Sequence, residues 1–80
     1  MTILEARFSA SSALGWRMID AGGVVVKEDA IEPSASDPLV ELRHLELRSG
    51  VARVHFHLTP EHTLTPSERD YAYACGWKLL

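Results

Sequence analysis

Residues 39–58, LVELRHLELRSGVARVHFHL, are the stretch on which the fold turns. Two runs rich in leucine, valine and phenylalanine flank Ser49-Gly50, and glycine there supplies the positive φ that a tight turn needs. The second run alternates, with Ala52, Val54, Phe56 and Leu58 on one side and Arg53, His55 and His57 on the other. The pattern predicts a β-hairpin, with strands over 39–48 and 51–58. With Arg48 opposite Val51, Leu47 meets Ala52 and Leu45 meets Val54 on the apolar face, while Glu46 meets Arg53 on the polar face. A register shifted by one would set Leu45 beside Arg53, so it is disfavoured. The alternation breaks near Leu42 and Arg43, where a bulge or the end of pairing is expected.

Upstream, Leu4, Ala6 and Phe8 alternate with Glu5 and Arg7, which predicts a short strand with one wet face. Ser9, Ser11 and Ser12 then offer N-caps for a helix to about Asp20, with Leu14, Met18 and Ala21 on one face. Gly15 opposes that helix. The competing reading is a strand from Leu14 to Asp20 that turns through Gly22-Gly23 into Val24-Val25-Val26. The helix is the preferred expectation, followed by a short valine strand and a loop over 33–38.

Downstream, Thr65-Pro66-Ser67-Glu68 is a capping box with proline at the first helical position. Tyr71, Ala72 and Cys75 share one face of the helix it starts, and Gly76 is placed to end it in a left-handed conformation. Trp77 to Leu80 forms a terminal strand or packs down. These elements predict an α+β fold in a single domain, 1–80: a small, mainly antiparallel β-sheet with a central hairpin and one or two helices packed on one face.

Composition narrows the function classes. A chain of 80 residues with 46% hydrophobic and 24% charged residues is globular rather than disordered. No apolar run approaches the ~20 residues of a membrane-spanning helix. Met1 to Arg7 does not read as a secretory signal, so a cytoplasmic protein is expected, with no membrane partner. The lone Cys75 leaves no internal disulfide. A net charge of −3 disfavours direct nucleic-acid binding through phosphate neutralisation.

Four groups of residues are candidates for chemistry or binding. His55 and His57 share a strand face, and the hairpin register sets His44 across from His55, so these three are candidate zinc ligands, with Glu46 the nearby carboxylate. His62 follows in the next loop. Cys75, at the C-terminal end of its helix, reads as structural rather than nucleophilic. No nucleophile elbow or phosphate loop is present, so no catalytic residue and no cofactor is expected. Glu28, Asp29, Glu32, Asp37 and Glu41 fall in a stretch without lysine or arginine, which concentrates negative charge for a basic protein partner. Tyr71 and Tyr73 cannot both face inward on one helix, and Tyr73 joins the acidic residues as a candidate contact.

The expectation is therefore a non-catalytic protein that binds a protein partner through an acidic surface. An inhibitor of a nucleic-acid-binding complex, a viral or mobile-element DNA mimic of the anti-CRISPR kind, fits that size and charge. A histidine-bound metal module is the alternative. Homodimerisation through an open sheet edge is a further expectation.

Overall fold

Asp37 and Pro38 open a helix where the alternation predicts a strand. In a computed structural model that describes residues 2–8, 14–31, 37–58 and 64–80, the Asp37 side chain accepts from the backbone N–H groups of Leu39 and Val40, and Pro38 begins helix α1 (Pro38–Ser49). Gly50 closes it at φ 66°, ψ 29°, its N–H donating to the Glu46 carbonyl at 3.0 Å. The positive φ expected of Gly50 is present, but it caps a helix instead of turning a hairpin. Leu39, Leu42 and Leu45 recur every third residue on the buried side. Leu47, assigned by the hairpin to the apolar face, is 63% exposed.

The strands are β1 (Ile3–Phe8), β2 (Leu14–Ile19), β3 (Val25–Ile31), β4 (Arg53–His57) and β5 (Lys78–Leu79), and helix α2 (Pro66–Ala74) lies between the last two. They form one sheet in the order β3-β2-β1-β4-β5. The two long seams, β3–β2 and β2–β1, are antiparallel, whereas β1–β4 and β4–β5 are parallel. The fold is α+β with a mostly antiparallel sheet, and no hairpin spans 39–58. Parallel pairing of β1 with β4 follows from α1 carrying the chain back across the sheet before β4 begins.

The helix predicted up to Asp20 is instead strand β2, and the competing reading is the one adopted. Asp20 organises the turn into β3: its Oδ1 accepts from Gly22 and Val24 at 2.9 and 3.0 Å, and Gly23 has φ 83°. Cross-strand pairing with β1, Ala6 to Trp16 and Leu4 to Met18, overrides a helical face that Gly15 had already weakened. Ser9, Ser11 and Ser12 lie outside the described residues.

The second helix forms as its sequence predicts. Thr65 Oγ1 accepts from Glu68 N at 3.2 Å while Glu68 Oε1 accepts from Thr65 N at 2.9 Å. At the other end Gly76 has φ 79°, with Trp77 N donating to Ala72 O and Gly76 N to Tyr73 O, both at 3.0 Å. That pair of bonds is a Schellman motif, and it turns the chain into β5.

One face of the sheet carries the core. Leu4, Ala6, Trp16, Val54 and Phe56 pack there against Leu39, Leu42 and Leu45 of α1 and against Leu64, Ala72 and Trp77. Trp77 stacks on Phe56, centroids 6.1 Å apart, and meets Tyr71 edge-on at 6.0 Å. Its indole N–H donates to Glu46 Oε1 at 2.9 Å, and the same oxygen accepts from Arg43 at 2.7 Å. No helix of the described residues is long and apolar enough to cross a membrane.

Truncating the buried Leu42 to alanine is expected to cost about 2–5 kcal/mol, against roughly 0.5 kcal/mol or less for Leu47→Ala. Urea unfolding of the two variants decides between helix and hairpin, since the hairpin demands the larger loss at Leu47. Glu46→Ala is expected to cost about 1–3 kcal/mol, by stranding a buried indole N–H. In a Trp77→Phe background most of that cost should vanish; an undiminished loss would break the Glu46–Trp77 coupling.

Candidate functional site

Strand register leaves the second face of the sheet without a helix. Ile3, Glu5 and Arg7 project there from β1, Gly15, Arg17 and Ile19 from β2, Glu28 and Ala30 from β3, and Arg53, His55 and His57 from β4. Lys78 of β5, in register with His55, joins them. Four of the eight Lys and Arg side chains thus lie on one face with two histidines, against Glu5 and Glu28 alone among the described residues. The net charge of −3 conceals this basic face.

Glu5 is its hub. Arg17 Nε donates to Oε1 at 2.7 Å, and His57 Nε2 lies 3.2 Å from Oε2. Burial by itself would raise the Glu5 carboxyl, but the bonds and charges of Arg17 and His57 outweigh it and hold the group below its ordinary value of 4.5. Glu5 and Arg17 face each other because their strands pair, Glu5 to Arg17 across β1–β2. His57 stands one row along, opposite Arg7. Alternation along β1 and β4 foreshadowed the exposed side of each, but only the parallel register brings Glu5 to His57.

The three candidate zinc histidines do not converge. His55 and His57 share the open face as predicted, whereas His44 is exposed on α1, whose buried side packs on the opposite face of the sheet. The juxtaposition rested on the hairpin register, and the helix removes it; Glu46 likewise bonds Trp77 and Arg43 rather than facing Arg53. Among the described residues no group of three His, Cys, Asp or Glu side chains is placed to hold a metal ion. His62 lies outside the described residues.

Cys75 is half-buried against the core beside Tyr71. Burial pushes its thiol up, as it does the Tyr71 hydroxyl. A thiol shifted in that direction is a poor nucleophile near neutral pH.

The acidic residues separate by face. Glu28 and Asp29 are both exposed on β3, on opposite sides of the strand, and Asp29 Oδ1 accepts from Ala30 N at 2.8 Å. Asp29 shares a cleft of about 250 Å³ with Glu41, Leu45 and Arg48. Asp37 is committed to capping α1. Glu32 lies outside the described residues. Tyr73 is 58% exposed, but on α2 beside β5, at the far end of the strand order from β3. The structure therefore gathers Glu28, Asp29 and Glu41 around one strand and does not bring Tyr73 to them.

That strand is also the feature composition did not reveal. β3 is a sheet edge, and residues 25–30 are exposed without interruption. Val24, Val25 and Val26 are 59%, 40% and 58% exposed. The valine run was legible as a strand; that no strand pairs with its outer side among the described residues was not.

Comparison with protein-family models, with curated proteins and with solved structures finds no match for this chain.

Because the native Glu5 carboxyl lies below 4.5, its contribution to stability is present above that pH and is lost as the pH falls through the lower native value. The difference in unfolding free energy between wild type and Glu5→Gln should shrink as the pH falls through that lower value. A difference independent of pH would remove the network around Glu5.

Proposed function

We propose that the chain is a non-catalytic protein-binding module that offers the β3 edge to a basic, extended segment of another protein. The observation that carries this is the uninterrupted exposure of β3 at the edge of the sheet. An unpaired edge presents a row of N–H and C=O groups, and a strand added to it gains main-chain hydrogen bonds without any new fold. Valines at one end supply apolar contact. Glu28 and Asp29, projecting to opposite sides, select lysine or arginine at both sides of the incoming strand. Glu41 adds to the field on the core side, where it and Asp29 line one cleft.

A partner that handles nucleic acid matches this chemistry, since its own phosphate-binding segments are rich in lysine and arginine. Occupying such a segment would inhibit it, as an anti-CRISPR-like DNA mimic does. Lys27 lies 6.0 Å over the Trp16 ring, which draws its charge inward from the edge and leaves the carboxylates as the outer charges.

The test begins with affinity capture of the partner, followed by association kinetics. Glu28→Lys with Asp29→Lys should slow association by about tenfold or more at low ionic strength and by less at high salt. Proline at Lys27 and, separately, at Glu28 supplies the geometric arm: adjacent residues direct their N–H groups to opposite sides, so one variant loses an outward donor and should fold but not bind. Charge-reversed variants that associate at the wild-type rate overturn the proposal. So does a wild-type chain that is a dimer by light scattering through β3, because the edge is then filled by a second copy.

A further inference from the structure

The open face has a hollow of about 500 Å³ beside the Glu5 network. Its floor is Gly15, with Ala30 next to it in register. Arg7 stands on the other side of Gly15, and His57 beyond Arg7. Bare backbone in the middle of a sheet is unusual, because glycine weakens a strand interior and forgoes cross-strand packing.

Nothing in the fold demands glycine at this position. Its φ is not among the positive values, which belong to Gly23, Gly50 and Gly76. A Cβ built there would meet only the Arg7 carbonyl oxygen, at an ordinary 3.8 Å. The one thing a side chain at residue 15 would remove is the hollow itself.

The charges around the hollow are unevenly used. Arg17 is engaged by Glu5, and Glu5 by both Arg17 and His57. Glu28 faces Arg17 across β2–β3. Arg7 has no ion-pair or hydrogen-bond partner among the described residues. When His57 holds Glu5 through Nε2, its Nδ1 remains, and the imidazolium form donates from that nitrogen to an acceptor in the hollow. Arg7 and His57, lining one hollow with the half-buried backbone of Gly15, form a receptor for a compact tetrahedral anion.

We propose that this hollow binds a phosphate group, with Arg7 as its counter-ion, His57 as a second donor positioned by Glu5, and Gly15 leaving the room. The group comes either from a small phosphorylated molecule or from a nucleic-acid strand; the chemistry is shared. Across a strand, the remaining cations, Arg53 and Lys78, lie on the same face, and among the described residues no Phe, Tyr or Trp occupies an open-face strand position, Trp16 being in register with the buried Ala6. Recognition is therefore of phosphate and not of sequence. Glu28 and Asp29 of β3 also line the hollow, and what sets the site apart from the edge is Arg7, Gly15 and His57, which lie on other strands.

Titration of inorganic phosphate, a nucleoside monophosphate and a short single-stranded oligonucleotide into isotope-labelled protein, read by amide shifts, tests it. Saturable shifts at Arg7, Gly15 and His57 are expected. Tighter binding of the monophosphate than of the oligonucleotide identifies a small-molecule site, and the reverse order a strand. Gly15→Val should fold at least as stably as wild type and lose saturable binding. Arg7→Gln, a surface change, should weaken it by about tenfold or more. Phosphate affinity retained by a folded Gly15→Val, or by Arg7→Gln, overturns the proposal, as does the absence of saturable shifts with all three probes. Arg7→Gln and Gly15→Val leave the carboxylates and outer backbone of β3 unchanged, so failure of this site is distinct from failure of the edge.

Discussion

The buried indole of Trp77 sets the terms for the rest of the molecule. A ring 3% exposed must find an acceptor for its N–H, and Glu46 provides it from the last turn of α1. That bond ties the last turn of the chain to its first helix, while the stack on Phe56 ties it to the fourth strand. The α2 cap and the Schellman turn deliver Trp77 to this place, and β5 follows from it, with Leu80 N donating to Phe56 O at 2.8 Å. Both helices thereby share one core with one side of the sheet.

Concentrating the core on one side has a consequence for the other. A chain of 80 residues lacks the apolar material to cover two sheet faces, so the second is left mainly to charged and small side chains, with Ile3 and Ile19 at one end. The same economy leaves β3 as an edge with no helix or loop of the described residues across its outer side. The two surfaces differ in sign. Around β3 the carboxylates Glu28, Asp29 and Glu41 dominate, whereas toward β4 and β5 the open face carries Arg7, Arg53 and Lys78. A single net charge describes neither.

How legible the elements were depended on whether their signals were local. Thr65-Pro66-Ser67-Glu68 is a start signal complete in four residues, and α2 begins there. Asp37-Pro38 is the same device, an N-cap followed by proline, yet it reads as the end of a loop because two prolines bracket the segment before it. The leucines at 39, 42 and 45 carry a helical period, but Leu45 and Leu47 also satisfy alternation, and Gly50 suits a hairpin turn as well as a C-cap. The candidate sites followed the same rule. His55 and His57 share a face because alternation is local, while His44 depended on a register that did not form.

Taken alone, the residues determined the strand character of 3–8 and 53–57, the second helix with both its ends and the α+β class. Each of these rests on contacts within a few positions of chain or on composition. The tertiary structure decided that residues 14–19 extend, that residues 38–49 coil, and which strands meet. It alone placed Glu5 between Arg17 and His57, bared β3 and hollowed the sheet over Gly15. Those outcomes depend on pairing between residues as far apart as 5 and 57, and pairing of that kind is settled by competition for one small core, not by the preferences of any segment.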